Sequence, residues 1–214
     1  IITGNSTYFC GHTYHFKDHD YNCTGSHGDI AVTQALRVSC NIFFYSAGHD
    51  LGIDKLDKYA ALFGLGESTG IELPESTGNM ANAKNHEELT GEPWTIGQTM
   101  QAAIGQSDSL FTPLQIAEYC AAVANGGERH SASILKSVRS YSYGDNVYER
   151  EDEVLSKVET AQYNWDAVHE GMRLVGKSSL PSYSMTSVAA KTGTAQKGES
   201  IANDGIFICY APFD

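Results

Sequence analysis

Hydrophobic positions along the chain follow two periods, and the stretches where each holds are set apart by Gly, Asn, Ser and Pro. Helical spacing predicts a first helix from Asp29, which can cap it, to about Val38. Ser39-Cys40-Asn41 follows, and the apolar run Ile42-Phe43-Phe44-Tyr45 predicts a second helix packed into the core. A third starts at Asp54, with Ile53, Leu56, Tyr59, Ala60 and Phe63 on one face and Gly64 to stop it. Thr112-Pro113-Leu114-Gln115 carries the strongest local signal. Threonine caps, proline takes the first helical position, and glutamine three residues after the cap closes a capping box. That helix runs to Ala124 and ends at Asn125-Gly126-Gly127. A last helix, capped by Thr160, puts Trp165, Val168, Met172 and Val175 on one face and is expected to end at Gly176.

Strand signals are fewer. The apolar lead of Val188-Ala189-Ala190 runs into Lys191-Thr192-Gly193-Thr194, and Gly205 to Ala211 forms a second run, so the two are predicted to pair as an antiparallel hairpin. Ile134, Lys136 and Val138 alternate as a short strand. Residues 1–27, where Tyr8, Cys10, His12, Tyr14 and Phe16 alternate with smaller or polar residues, read as a loop or hairpin. The segment 64–98 reads as a long irregular connection and 141–158 as a charged surface loop. The fold class this implies is α/β of the α+β kind, helix-rich with a short antiparallel sheet, in a single domain over 1–214. An isolated hairpin is marginal in water, so further strands are expected outside the chain.

Composition narrows the function. A net charge of −12 argues against nucleic acid and anionic membrane surfaces as partners. No run reaches the roughly 18 apolar residues of a membrane span, so any anchor is expected outside this sequence. There are five cysteines. Cys40, Cys120 and Cys209 lie in apolar or helical contexts and read as core thiols. Cys10 and Cys23 bracket a segment rich in His, Tyr and Asp; a bridge between them would close a loop of about 14 residues and contribute about 3 kcal/mol in an oxidising compartment. A metal set of Cys10, His12, Cys23 and His27 matches no familiar zinc spacing. A disulfide or two free thiols is therefore preferred, and no metal or other cofactor is expected.

The chemistry-bearing stretch is Lys191-Thr192-Gly193-Thr194. A cation, two hydroxyls and a residue without a side chain, side by side in extended structure, suit the docking of a carboxylate-bearing peptide along a strand edge. The same residues would also serve as an edge strand guarded by a lysine.

Several segments, taken in order, resemble the penicillin-binding transpeptidase domain of the class B, high-molecular-weight type. They are Cys10-Gly11 and His27-Gly28, Ser39-Cys40-Asn41 as Ser-x-Asn, Thr69-Gly70-Ile71-Glu72-Leu73-Pro74, Gly105-Gln106 with Thr112-Pro113-Leu114-Gln115, and Lys191-Thr192-Gly193-Thr194-Ala195-Gln196. The resemblance implies a peptidoglycan D,D-transpeptidase acting through an acyl-serine intermediate, with stem peptides and β-lactams as ligands. It also implies a location on the extracytoplasmic face of a bacterial membrane. It assigns Ser39 to proton relay, Asn41 to the substrate carbonyl, and Lys191 to the field that holds the substrate carboxylate. Thr192, Gly193 and Thr194 would bind substrate, with the Thr194 N–H as an oxyanion donor.

The family's first motif, Ser-x-x-Lys, is not found ahead of Ser39. Ser133-Ile134-Leu135-Lys136 has the spacing but follows Ser-x-Asn, in a stretch read as strand, where residues three apart face opposite ways. The chain is therefore expected to be a partial domain without the nucleophile helix and the terminal strand and helix, itself inactive, and open to strand exchange as a homodimer. The alternatives are a β-lactam sensor or β-lactamase-like relative and a non-catalytic module of the same fold. A Ser-His-Asp hydrolase is disfavoured by the absence of Gly-x-Ser-x-Gly.

Overall fold

The computed structural model describes residues 2–179, 186–196 and 202–213. Four short strands open it: β1 (Thr7–Cys10), β2 (Thr13–Phe16), β3 (His19–Asn22) and β4 (Gly28–Ala31). β1 pairs antiparallel with β4, and β2 with β3. The helix expected from Asp29 starts later. Asp29 is a residue of β4 opposite Phe9, and α1 spans Val32–Val38. Burial of Ile30 opposite Tyr8 in the β1 ladder, a tertiary contact, overrides the local helix signal.

α1 ends at Ser39, whose left-handed backbone (φ 51°, ψ 50°) lets its N–H and that of Cys40 reach the carbonyls of Leu36 and Ala35. α2 (Asn41–Leu51) then buries Ile42, Phe43 and Tyr45. α3 (Ile53–Leu62) follows after Gly52. The segment 64–98 is more regular than its composition suggests. α4 (Ala83–Thr90) is capped by Asn82, whose side chain accepts from Asn85 N–H at 2.8 Å, and α5 (Ile96–Ala102) opens on a Thr95/Gln98 capping box. These caps stabilise short helices whose apolar faces are too narrow for periodicity to reveal.

The Thr112/Gln115 capping box opens α6 (Pro113–Ala124) as expected. Its Gln115 is fully buried and does more than cap. The carboxamide donates to the carbonyls of Glu67 (2.7 Å) and Thr77 (2.8 Å), pinning the long segment onto α6. Glu118, one turn on, pairs with Arg129 at 2.9 Å, with both side chains buried.

β5 (Glu128–His130), β6 (Ser137–Arg139), β7 (Asn146–Glu149) and β8 (Val154–Lys157) pair as β5–β8 and β6–β7. The segment 141–158 thus supplies two strands to local ladders. Ile134 and Lys136 lie outside β6, which takes only Val138 of the predicted run.

α7 spans Gln162–Ser179 and buries Trp165, Met172 and Val175. Gly176 does not end it. A Cβ at Gly176 would stand 2.0 Å from the Val188 carbonyl oxygen, so this glycine exists for the close approach of the following strand. Gly171 plays the same part against Leu36 of α1, where Thr33 Oγ1 also donates to the Ala167 carbonyl at 2.8 Å. β9 (Ala189–Ala195) and β10 (Asp204–Tyr210) form the expected antiparallel hairpin, Lys191 opposite Ile208 and Thr194 opposite Gly205. Ala189 and Ala190 are fully buried, and the strand emerges at the ledge. Most of the Ser-rich loop before it lies outside the described residues. Cys120 is buried as expected, but Cys209 is exposed on β10 rather than in the core. Among the described residues, no helix is long and apolar enough to cross a membrane.

Candidate active site

The turn between α1 and α2 and the exit of β9 meet at one point. Lys191 Nζ donates to Ser39 Oγ at 2.7 Å and to its neighbour's carbonyl, Thr192 O, at 2.5 Å. Both partners are held from behind. Ala189 and Ala190 seat β9 against α7, and Ser39 is fixed by the backbone hydrogen bonds that close α1. A side chain in left-handed backbone costs about 1–2 kcal/mol relative to ordinary helix, and glycine is the usual residue there. A serine at this place keeps a hydroxyl where conformation alone would prefer none.

An ammonium has only donors, so Ser39 Oγ accepts from Lys191 and its own proton remains free to be given elsewhere. Burial pushes the Lys191 ammonium below its ordinary pKa. The pair is therefore a hydroxyl with an adjustable proton source beside it, the arrangement needed to pass a proton to a leaving group.

Thr192, Gly193 and Thr194 line the exposed end of β9 as a polar ledge. Asn41 opens α2 directly after this turn, but its carboxamide donates to the Asn22 carbonyl at 3.3 Å, tying α2 to the end of β3. Ser133 lies in a loop, where its hydroxyl donates to the Glu72 carboxylate and Leu135 N–H donates back to it. It therefore serves a turn and has no helical lysine partner.

Gln106 is a member of the ledge that motif reading left without a role. Its Nε2 donates to the Thr194 carbonyl at 3.2 Å. A glycine before it and the left-handed Ser107 after it make the tight turn that aims it there.

Behind Ser39 lies a second cluster. Cys10, Cys23, His27 and Cys40 bring their ligand atoms within 4.8 Å of one another. All five cysteines are free thiols, so of the two alternatives left open for Cys10 and Cys23 the structure has the free pair. The fourth donor is Cys40, the middle residue of Ser-x-Asn, and not His12. Sequence could not pair it with residues 10–27, because β4 and α1 intervene and only the packed fold closes the set.

Three of the six donor–donor spacings are on the scale of a tetrahedral ion. Cys23 Sγ to Cys40 Sγ is 3.8 Å, and His27 Nδ1 lies 3.4 Å from Cys10 Sγ and 3.7 Å from Cys23 Sγ. Zinc–sulfur bonds of about 2.3 Å and zinc–nitrogen bonds of about 2.0 Å give tetrahedral edges of about 3.5–3.8 Å. The four residues could therefore hold such an ion. The thiols are electrostatically unequal. Burial raises Cys23, but hydrogen bonds from the backbone of Ile42, Gly25 and Asn41 and from the Cys40 thiol outweigh it and bring its pKa down to about 6. Cys40 is pushed up to about 12, by burial first and then by Cys10 and Cys23, against a lowering bond from the Phe43 backbone. The lowering at Cys23 favours its thiolate, a first foothold for a cation, and a bound cation would in turn favour deprotonation of the others.

The model for the penicillin binding protein transpeptidase domain matches residues 1–214. The chain is 29% identical to the peptidoglycan D,D-transpeptidase MrdA of Haemophilus influenzae, covering 100% of this chain and 36% of that protein. It is 31% identical to penicillin-binding protein H of Bacillus subtilis over 79% of this chain and 26% of that one. Among solved structures, Pseudomonas aeruginosa PBP2 in complex with WCK 5153 superposes with a TM-score of 0.85 at 26% identity, covering 99% of this chain and 49% of that one. PBP2 of Helicobacter pylori superposes at 0.83 with 24% identity, over 99% and 39%. The chain spans about a third of the length of the curated relatives it matches.

Proposed function

Because the chain belongs to the penicillin-binding protein transpeptidase domain family, we propose that it contributes two walls of the cleft in which peptidoglycan stem peptides are cross-linked by acyl transfer. The observation that carries this reading is the 2.7 Å contact between Lys191 and Ser39, which joins the two motif segments into one proton-handling pair.

The nucleophile is a serine outside this sequence. It attacks the D-Ala-D-Ala amide carbonyl, and Ser39 delivers a proton to the departing D-alanine nitrogen while Lys191 holds the field around it. The Thr192 and Thr194 hydroxyls take the terminal carboxylate, Gly193 lets the peptide backbone close on the strand, and the Thr194 N–H supplies one oxyanion donor. Asn41 binds the substrate's amide carbonyl after giving up its contact with Asn22. A second stem's amine then takes the acyl group. β-Lactams enter the same cleft as mimics of the donor, on the extracytoplasmic side of a bacterial membrane.

The reading includes a zinc-type ion on Cys10, Cys23, His27 and Cys40 with a structural task. Three buried thiols so close together in an oxidising compartment would otherwise be prone to pair as disulfides, and a closed four-ligand set leaves no position for substrate. Its effect is to hold the Ser39–Asn41 turn through Cys40.

A fluorescent penicillin tests the main reading. The full-length protein is expected to give a labelled band, and the 214-residue chain alone none. A labelled 214-residue chain, or an unlabelled full-length protein, would overturn it.

A further inference from the structure

β9 has a partner on one edge only among the described residues, and that partner is β10. In an extended strand the N–H and C=O of one residue point to the same edge. The Thr194 carbonyl that Gln106 reaches therefore lies on the same edge as the Thr194 N–H. A peptide adding to that edge as a further strand would use both, donating an amide N–H to the carbonyl and offering a carbonyl to the N–H. Gln106 already fills the first of these positions with a side-chain amide, the same kind of donor at a distance of 3.2 Å.

The backbone that carries Gln106 is fixed on both sides. Its own N–H donates to the Gln101 carbonyl at 3.0 Å, and Gly105 N–H to Ala102 at 2.9 Å, locking it to the end of α5. Beyond it, the Asp108 carbonyl accepts from Asn79 Nδ2 at 2.7 Å, and the Asp108 carboxylate meets buried His86 Nδ1 at 2.5 Å. His86 is braced in turn by Gln98 Nε2, 2.8 Å from its Nε2. Leu110 and Asn79 close the loop by exchanging backbone hydrogen bonds at 2.7 and 2.8 Å. The carboxamide at the tip is the exception, since its single bond to Thr194 is long and open to water. The loop is built to keep the amide at this place, and the bond itself is weak enough to be exchanged.

We propose that Gln106 is a placeholder for the backbone N–H of the incoming peptide and thereby sets which ligands bind. It satisfies the Thr194 carbonyl while the cleft is empty and must be displaced by a ligand amide. A ligand with an amide N–H to offer recovers the lost bond; a ligand without one leaves the placeholder seated. This rests on the transpeptidase reading of the ledge and adds a selection step to it.

The test uses full-length protein, wild type against Gln106→Ala and Gln106→Met, the second keeping the length of the side chain without its donor. Stopped-flow acylation separates the non-covalent dissociation constant from the acylation rate constant, with one β-lactam that bears a side-chain amide and one that lacks it. Both variants are expected to lower the dissociation constant of the amide-bearing compound about 2- to 10-fold, the range of one net hydrogen bond. For the other compound the change is expected to be under about 2-fold, with the effect absent from the chemical step. A weaker dissociation constant, a slower acylation step, or equal effects on both compounds would show Gln106 to be a strut and overturn the proposal. Lys191→Ala separates the two levels: acylation that persists without Lys191 defeats the transpeptidase reading itself. Acylation that requires Lys191 but ignores Gln106 defeats only the placeholder.

Discussion

Lys191 Nζ and Ser39 Oγ stand 2.7 Å apart across 152 positions of sequence, and each is aimed by a different buried element. Ser39 hangs on the end of α1, Lys191 on the strand that α7 holds in place. On the proposed function, replacing either would break the proton path, while neither side chain belongs to the buried core. In the full-length protein, Ser39→Ala is expected to slow acylation by a β-lactam about 10²- to 10⁴-fold, the range of a positioned acid or base. Melting temperature measured beside the kinetics should hardly move.

The lysine also leaves a pH signature in stability. Burial lowers its folded pKa below the ordinary 10.5, so the unfolded chain binds the proton more tightly. Between the lowered folded value and about 10.5 the wild type should therefore gain stability as pH rises, relative to Lys191→Met. Below that window the charged lysine carries its full burial cost, and the variant should be the more stable of the two. Urea titrations of both proteins across pH 7–10 check the sign.

A zinc-type ion at the thiol cluster predicts one bound equivalent by elemental analysis and its loss in Cys23→Ser and His27→Ala. At a free ion concentration of 100 times the dissociation constant the gain in stability is about 2.7 kcal/mol. Thermal melts with and without a chelator should differ for the wild type and coincide for the two variants.

Gly176→Ala places a methyl where the Val188 carbonyl stands. A better helix former in mid-helix would normally stabilise. Here α7 and β9 must part instead, costing about 1–3 kcal/mol and displacing Lys191 from Ser39. Chemical denaturation reads the first effect and slower β-lactam acylation the second.

Arg129→Met leaves Glu118 buried without its partner, and such a loss typically costs about 3–5 kcal/mol. Burial already raises the Glu118 pKa against the lowering pull of Arg129. A carboxyl with a raised folded pKa is better tolerated when protonated, so the penalty of the variant should shrink as pH falls toward 5. Glu118→Gln combined with Arg129→Met should cost less than Arg129→Met alone, as a double-mutant cycle would show.

Local rules made several elements legible from the residues alone. Proline and glutamine around Thr112 define the start of α6 because a capping box is a contract between neighbours, and the run of apolar residues after Asn41 is a helix in any context that buries it. The apolar lead of β9 and its polar ledge are likewise written in consecutive residues. Segments stabilised by caps on short helices, as at Asn82 and Thr95, or by ladders within charged sequence, as at Asn146–Glu149, were not readable, because their apolar periodicity is too brief to register.

Ser39, Lys191 and the ledge could be named as candidates from motif types and their order, because those are properties of the chain. That Lys191 reaches Ser39, that Cys40 joins Cys10, Cys23 and His27, and that Gln106 seats on Thr194 were decided only by tertiary structure. Each is a meeting of side chains from elements separated by others, and no local periodicity encodes such a distance. Gly176 shows the same division at a single residue. Read locally, a glycine after a helical run ends a helix; in the packed molecule it continues one, because the backbone of Val188 needs the space.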